Sequence, residues 1–211
     1  MPASGYAQLL SRLDEWFAAG RAAARGVVPC QGGCTACCHG PFDISVADAE
    51  LLREAVARLP AGEREEVERR AAALLDRMLA LEPEWRAPYA VEALGDARFD
   101  RLAERLAEAP CPLLDDAGRC RIYADRPLVC RLIGLPMDAG PRRVIENACP
   151  IQERFPSYAG LAPVPFDLDV FEDEEAECLR DAARRRFGDE TRAGFETTIA
   201  AEVVEGRAVP R

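Results

Sequence analysis

The sequence predicts a mainly α-helical protein with a small hairpin or irregular element that is rich in cysteine. Apolar residues recur at the three- and four-residue spacing of amphipathic helices along most of the 211 residues. Eight of the nine cysteines lie outside this pattern, in two turn-rich segments. We expect one domain that combines an N-terminal helix (residues 1–29), a cysteine-cluster region with inserted helices (30–150) and a C-terminal linker with two helices (151–211).

Four helices are predicted ahead of the second cysteine segment. Ser45 and Asp48 have the spacing of a capping box, which begins the second helix, and this helix ends at Pro60. The third helix spans roughly residues 63–81. The first helix has an apolar face that consists of Tyr6, Leu9, Leu10, Leu13, Trp16 and Phe17. The fourth helix is short and has a face that consists of Phe99, Leu102 and Leu106.

The chain changes character after the fourth helix. The segment CPLLDDAGRCRIY has two short apolar stretches around residues 115–118, which is typical of a hairpin turn. One or two helical turns follow Pro127 and end at Gly134. After a proline-rich linker, two final helices are expected near residues 171–187 and 190–204.

The composition excludes several classes of chemistry. All 27 basic residues are arginine, so the chain can form neither a lysine Schiff base nor a P-loop. His39 is the only histidine, which excludes H-E-x-x-H proteases, three-histidine zinc sites and two-histidine iron triads. The net charge of −10 argues against a general nucleic-acid-binding surface. Thiol is the soft metal-binding group that the chain has in abundance, with nine cysteines.

No segment is predicted to enter a membrane. The first twenty residues include Arg12, Asp14 and Glu15, so they lack the apolar region of a signal peptide. No run approaches the roughly 18 apolar residues that a membrane helix needs. We therefore expect a cytoplasmic protein, in which thiols stay reduced and clustered cysteines more often bind metal than form disulfides.

The two groups of cysteines are the predicted metal ligands. Thiolates are soft donors that select zinc, Cu(I) or iron–sulfur clusters, and a four-sulfur site usually takes ligands from two segments. The first group has the pattern C-x3-C-x2-C-C in a glycine-rich loop, and the second is spread over turns. The spacing is consistent with two four-cysteine sites or with one cluster and a spare pair of thiols. The two groups are Cys30, Cys34, Cys37 and Cys38, and Cys111, Cys120, Cys130 and Cys149.

The spacing within these groups bears on the identity of the metal. Cys37 and Cys38 are adjacent, so their side chains point in different directions in a helix or strand, and they either serve different sites or include one non-ligand. Cysteine precedes proline at residues 111–112 and 149–150, as in bacterial ferredoxins, whereas a single C-x2-C pair, Cys34 with Cys37, has zinc-knuckle spacing. The pattern slightly favours an iron–sulfur cluster of the 4Fe-4S type over zinc.

The spacing C-x3-C-x2-C also occurs in radical S-adenosylmethionine enzymes. There it follows the first strand of a βα barrel, whereas here a helix precedes it and mostly helices follow. The context therefore argues against that class of enzyme.

Four arginines of the second cysteine segment, Arg119, Arg121, Arg126 and Arg131, are candidates for a place at the cofactor. A four-cysteine zinc site or an oxidised four-iron cluster carries a net charge of roughly −2, which guanidinium groups would offset. The alternative is that the arginines of this segment pair with its surface carboxylates, which are Asp115, Asp116 and Asp125.

His39 and Cys178 are expected to play no part in ligation. His39 follows Cys38 and is interpreted as a loop histidine near the site, since no positioned partner group suggests a catalytic role. Cys178 lies on the helix face of Phe171 and Ala182, which indicates a place in the core.

The two cysteine segments resemble a known family. The first continues as PFDISVADAELL and the second reads CPLLDDAGRCRIYADRPLVCR, and both are similar to the CxxCxxCC or YkgJ-like cysteine-cluster family over roughly residues 30–150. That family is described as a zinc- or iron-chelating domain with eight characteristic cysteines. The resemblance implies that the eight grouped cysteines occupy those positions. It also favours Arg126 and Arg131, which lie inside the quoted phrase, as the arginines at the cofactor. A related motif occurs in flagellin lysine N-methylases, where it resembles an iron–sulfur site.

The sequence therefore predicts a cysteine-ligated metal-binding protein. An iron–sulfur centre with a redox or methyl-transfer-associated role is one interpretation. A zinc-stabilised module that binds a partner protein without catalysis is another. A third is metal handling, in which Cys37 or Cys38 passes an ion onward. Neither catalytic residues nor a substrate can be assigned from the sequence.

Overall fold

The computed structural model describes residues 5–30 and 33–206. Helices predominate in this part of the chain and its strands are two or three residues long, which confirms the mainly α class. The helices are α1 (Gly5–Ala23), α2 (Val46–Ala57), α3 (Ala61–Leu81), α4 (Val91–Leu94), α5 (Asp96–Arg105), α6 (Leu128–Leu132), α7 (Pro156–Ala159), α8 (Leu168–Phe187) and α9 (Ile199–Gly206). The strands are β1 (Asp43–Ser45), β2 (Met137–Asp138), β3 (Val144–Ile145), β4 (Val164–Pro165) and β5 (Glu196–Thr198). Among the described helices, none has the length and apolar character to cross a membrane.

The chain folds into two compact units that alternate along the sequence. Unit 1 contains the described residues up to Cys37 together with Leu128–Cys178. Unit 2 contains Cys38–Pro127 together with the described residues from Leu179 onward. One boundary falls between two adjacent cysteines and another falls within α8. The three consecutive segments expected from the sequence, with limits at residues 29/30 and 150/151, stay a prediction.

Unit 1 is built on α1 and a three-stranded sheet. The apolar face predicted for α1 is buried at Tyr6, Leu9, Leu10, Leu13 and Trp16. The strand order is β3-β2-β4, in which β2 pairs antiparallel with β3 and parallel with β4. The Trp16 indole Nε1 donates to the carbonyl oxygen of Val164 at 3.3 Å, which ties α1 to β4. Helix α6 contacts α1 as well.

Unit 2 has a helical core in which α2 and α3 pack against α9. The capping box at the start of α2 is confirmed, because Ser45 Oγ accepts from the Asp48 N–H at 3.1 Å and the Asp48 carboxylate accepts from the Ser45 N–H at 3.4 Å. Strand β1 leads directly into this cap and pairs antiparallel with β5.

The helix predicted over residues 190–204 is wrong in its first half. Residues 196–198 form β5 instead, and the helix begins at Ile199. Thr197 and Thr198 are β-branched and suit a strand, where they pair with β1. The Thr198 hydroxyl then accepts from the Ala201 N–H at 3.2 Å, so the same residue ends the strand and caps α9.

Candidate metal centre

Unit 1 carries five of the eight predicted ligands. Cys30 follows α1, Cys34 and Cys37 lie in the turns after it, Cys130 lies in α6, and Cys149 follows β3. Cys149 is 4% exposed, and the other four thiols are half-buried. The division into units therefore differs from the division by sequence, since Cys130 and Cys149 share a unit with Cys30, Cys34 and Cys37, whereas Cys38 does not.

Four of these thiols lie close enough to interact electrostatically. Burial raises the pKa of the Cys30 thiol, and the nearby thiolates of Cys149, Cys34 and Cys37 raise it further. Thiolate charges in this arrangement oppose one another, and a bound cation would relieve that repulsion. Two cysteine segments that are distant in sequence thus meet in one unit.

The four thiols lie near one another, but they are not arranged with the geometry of a metal coordination site. In residues 5–30 and 33–206, no three Cys, His, Asp or Glu side chains are arranged so that they could hold one ion. Every one of the eight predicted ligands lies within these residues, and none of them is in a disulfide. The donor chemistry, which consists of reduced thiols beside one another, nevertheless fits zinc or an iron–sulfur cluster.

Polar groups surround the Cys30 and Cys149 thiols. The Tyr158 side chain is 1% exposed, and its hydroxyl donates to the carbonyl oxygen of Gly134 at 2.8 Å. Burial raises the pKa of Tyr158, the Asn147 side chain opposes this rise, and the Cys149 and Cys30 thiols add to it. The Asn147 side chain accepts from the Cys149 N–H at 3.0 Å through Oδ1. Asn147 Nδ2 is buried and makes no hydrogen bond of good geometry among the described residues.

The backbone at Gly134 passes beside the Cys30 sulfur. Its φ is +122°, a left-handed conformation that favours glycine. A Cβ atom at this position would lie 3.3 Å from Cys30 Sγ and 2.9 Å from Cε2 of Phe17. The sequence predicts that Gly134 ends a helical segment, and the structure shows in addition that this glycine leaves room for the thiol.

Unit 2 holds the other three predicted ligands. The Cys111 N–H donates to the Cys38 carbonyl oxygen at 2.9 Å, and His39 forms an antiparallel bridge with Pro110, so the two cysteine segments are joined by backbone hydrogen bonds. Cys111 belongs to the core of the unit, and Cys38 and Cys120 pack against it. Burial raises the pKa of Cys120, and the charge of Arg126 partly opposes that shift.

The predicted hairpin turn between Cys111 and Cys120 is confirmed. Leu114 and Cys120 form an antiparallel bridge, and the Asp115 N–H donates to the Arg119 carbonyl oxygen at 2.8 Å. The Asp115 carboxylate accepts from the Arg119 N–H at 2.8 Å and the Ala117 N–H at 2.9 Å, and these contacts lower its pKa. The turn therefore holds Cys120 in a defined place in unit 2.

The two arginines predicted at the cofactor have different surroundings. Arg126 stacks on the exposed Tyr123 ring at 4.3 Å and lies near Cys120, as its effect on that thiol shows. Arg131 is 3% exposed and forms an ion pair with Asp14 in unit 1. A role of either arginine at a cofactor stays a prediction.

The surface carboxylates of the second cysteine segment all pair with arginines, and Asp115 does so with an arginine of the same segment, as the alternative interpretation expects. The partners of the other two are Arg70 in α3 and Arg58, which directly follows α2. The pairs are Asp115 with Arg119 at 2.9 Å, Asp116 with Arg70 at 2.6 Å, and Asp125 with Arg58 at 2.8 Å.

Tyr158 and Asn147 are the residues that sequence reasoning missed. Tyr158 lies in the proline-rich segment that the sequence predicts to be a linker, and none of the residues around it in the sequence predicts a position beside Cys30. Asn147 precedes Cys149 by two residues, and an Asn that bonds the backbone N–H two residues on is a common turn, so that signal was present. Cys178, which was expected in the core, is half-buried.

Comparisons with known proteins agree with the cysteine pattern. The protein-family model CxxCxxCC, described as "Putative zinc- or iron-chelating domain", matches residues 29–150, which is more than half of the chain. The comparison with curated proteins and the comparison with solved structures found no match.

Proposed function

The chain belongs to the CxxCxxCC family, whose domain is described as zinc- or iron-chelating, and on that premise we propose that it holds a metal centre through the thiolates of unit 1. The proposed ligands are Cys30, Cys34, Cys37 and Cys149. The surroundings of Cys30 support this choice, because the other three thiols all raise its pKa although Cys149 comes from a distant segment.

The proposed centre is an iron–sulfur cluster of the 4Fe-4S type, with zinc as the alternative. Four thiolates satisfy either one. The Cys149–Pro150 pair supports the cluster, because cysteine followed by proline occurs in bacterial ferredoxins. The C-x2-C spacing of Cys34 and Cys37 supports zinc. A cluster supplies one-electron transfer when bound, and the role that we propose for it is redox or associated with methyl transfer.

The remaining family cysteines and the two arginines have supporting roles in this proposal. Cys38, Cys111 and Cys120 form a second set of thiols in unit 2, and Cys130 lies in unit 1. Arg126 would offset the charge of the unit 2 thiols, since it already opposes the raised pKa of Cys120. Arg131 would do the same in unit 1, where its guanidinium is buried.

Anaerobic purification followed by metal analysis tests the proposal. The full chain is expressed with iron and zinc both supplied, and its absorption spectrum, iron, acid-labile sulfide and zinc are measured per chain. We expect visible absorption together with iron and sulfide in matching amounts. A colourless protein with stoichiometric zinc and no sulfide would reject the cluster in favour of zinc, and a protein that holds neither metal would reject the proposed function.

A pair of cysteine variants tests the ligand assignment. Cys34→Ala removes a proposed ligand, whereas Cys178→Ala removes a thiol of similar half-buried exposure that is not a proposed ligand. We expect Cys34→Ala to lose the metal and Cys178→Ala to keep the metal content of the wild type. If the metal stabilises the fold, the free energy of unfolding of Cys34→Ala is lower by about 3 kcal/mol or more. Equal metal content in the two variants would contradict the assignment of Cys34.

A further inference from the structure

We propose that Tyr158 and Asn147 are positioning residues for the metal-binding thiolates of unit 1, to whose sulfurs they donate hydrogen bonds. The inference rests on the proposed function, since it concerns the same thiols. Tyr158 lies outside residues 29–150, which match the family model. The C-terminal segment of this chain would thus contribute directly to a site whose ligands all belong to the matched region.

The position of Tyr158 supports this role. Helix α7 carries its side chain into the interior of unit 1, where the hydroxyl donates to the Gly134 carbonyl oxygen at 2.8 Å. The same glycine lies beside Cys30, because a Cβ atom there would be 3.3 Å from its Sγ. The hydroxyl also lies close to both thiols, since it opposes the rise in the pKa of Cys30, and Cys149 in turn raises the pKa of Tyr158. A hydroxyl has one proton, so it donates to one of these acceptors at a time.

Asn147 supplies a second donor at the same place. Its Oδ1 accepts from the Cys149 N–H at 3.0 Å, and its backbone carbonyl oxygen accepts from Gln152 Nε2 at 2.8 Å. Its Nδ2 is buried and makes no hydrogen bond of good geometry in the described residues, in a side chain that is 7% exposed and that lies close enough to the Tyr158 hydroxyl to lower its pKa. Buried amide donors are nearly always satisfied in folded proteins. A thiolate of the neighbouring cysteines is the acceptor that metal binding would create, since ligation removes the thiol proton.

Hydrogen bonds of this kind change measurable properties of a thiolate site. A bond between an ionised sulfur and an O–H or N–H group is charge-assisted, and it stabilises the thiolate while fixing its direction. Loss of such a supporting contact typically lowers metal affinity by 10- to 100-fold (order of magnitude). In an iron–sulfur protein, hydrogen bonds to the sulfurs also set the reduction potential. A tyrosine that only anchored the backbone at Gly134 would affect stability and leave these properties unchanged.

The test compares two tyrosine-to-phenylalanine variants of the full chain. Tyr158→Phe removes the hydroxyl beside the thiols. Tyr6→Phe makes the same change at another buried tyrosine of unit 1, about 16 Å along α1 from Phe17, which lies beside Gly134. Metal-free protein is titrated with Co²⁺ under anaerobic conditions, with affinity measured by chelator competition and the sulfur-to-cobalt charge-transfer band by absorption. We expect Tyr158→Phe to bind Co²⁺ about 10- to 100-fold more weakly and to shift the band, and Tyr6→Phe to match the wild type.

The outcomes separate the two proposals. A wild-type chain that binds Co²⁺ without a thiolate charge-transfer band, or that neither binds Co²⁺ nor carries iron as purified, contradicts the proposed function. A wild-type chain with the band, combined with identical affinity and band in the two variants, overturns the positioning role alone. If the purified chain carries a cluster, its midpoint potential replaces the cobalt titration, and Tyr158→Phe is expected to make that potential more negative.

A second variant keeps the test decisive if Tyr158→Phe does not fold. Asn147→Ser removes the amide donor and keeps a side-chain oxygen that can accept from the Cys149 N–H. We expect weaker Co²⁺ binding and a shifted band here as well. Binding identical to the wild type would overturn the role of the amide.

Discussion

At the scale of single residues, Gly134 offers a direct test of how tightly the chain packs around Cys30. A Cβ atom there would lie 2.9 Å from Cε2 of Phe17 and 3.3 Å from Cys30 Sγ. Gly140 has a similar φ, +112° against +122°, but a Cβ atom there would meet nothing within 4 Å. The two glycines therefore carry similar backbone strain on substitution and differ in the space around them.

We predict that Gly134→Ala lowers the free energy of unfolding by about 1 to 3 kcal/mol more than Gly140→Ala does. The reason is overpacking against Phe17 and Cys30, which adds to the strain that both substitutions share. Urea denaturation of the two variants measures the difference. Equal losses of stability would show that the backbone conformation alone, and not the close approach to the thiol, requires glycine at residue 134.

The candidate metal ligands could be identified from the sequence, but which of them lie close together in the structure could not. Thiol chemistry and the family resemblance identified the candidate ligands because both depend on residue type and local spacing. That Cys149 lies with Cys30, whereas Cys38 lies with Cys111, depends on contacts between segments that are distant in sequence. The burial of Tyr158 could not be predicted for the same reason, since its hydroxyl bonds to Gly134, which is distant in sequence.

At the scale of elements, the capping box of α2 is a local interaction with a predictable energy. Ser45 ends β1 and also caps α2, with its Oγ 3.1 Å from the Asp48 N–H. We predict that Ser45→Ala lowers the free energy of unfolding by about 1 kcal/mol, because an orphan N–H group at the helix start loses its acceptor. Ser11→Ala is the matched control, since Ser11 is exposed inside α1 and its hydroxyl donates to the Gln8 carbonyl oxygen. Chemical denaturation with equal midpoints for the two variants would contradict a capping role.

Helices with a strong apolar period were the elements that the sequence predicted best. The third predicted helix, residues 63–81, corresponds to Ala61–Leu81, and its boundaries depend on nearby residues alone. Strand β5 was not predicted, because it pairs with β1, which lies about 150 residues earlier in the chain. The spacing of apolar residues within a short window carries no information about so distant a partner. The helix predicted over residues 190–204 included Thr197 and Thr198. In the structure these two residues pair with β1 as part of a strand, and the helix begins after them.

At the scale of the whole molecule, the division into two alternating units was not predicted. Composition and length indicated one sizeable core, and the cores of the two units are built from different stretches of chain. Which stretches join is determined by pairings such as β1 with β5 and by buried contacts between distant helices. Pairings between distant segments produce no regular spacing of apolar residues, so a single sequence does not reveal them.

One of these long-range contacts surrounds a buried carboxylate in unit 2. Glu202 in α9 is 1% exposed and lies between Arg53 Nε at 3.0 Å and Arg186 Nη1 at 2.9 Å. Both distances are those of ion pairs, although neither carboxylate oxygen has the geometry of a hydrogen bond. Burial raises the pKa of Glu202, and the two arginines only partly oppose it. Ionising this carboxylate therefore costs more in the folded protein than in the unfolded chain.

The consequence is a pH dependence whose sign can be worked out. Above the ordinary value of 4.5 and up to its raised pKa, Glu202 keeps more proton in the folded than in the unfolded state, so its contribution to stability falls as pH rises. Glu66 is the contrasting case, because hydrogen bonds from Arg69 and Arg70 lower its pKa and its contribution rises with pH below 4.5. We predict that the stability of Glu202→Gln relative to the wild type increases as pH rises from about 4.5, whereas that of Glu66→Gln decreases as pH rises toward that value.

Urea denaturation of the wild type and both variants at closely spaced pH values measures these differences. Comparison with the wild type at each pH cancels the titration of the other acidic groups, which makes the slope specific to one carboxylate. A flat difference for Glu202→Gln would mean that Arg53 and Arg186 fully compensate its burial. The sign of that slope thus decides whether burial or ion pairing dominates where α9 packs into the helical core of unit 2.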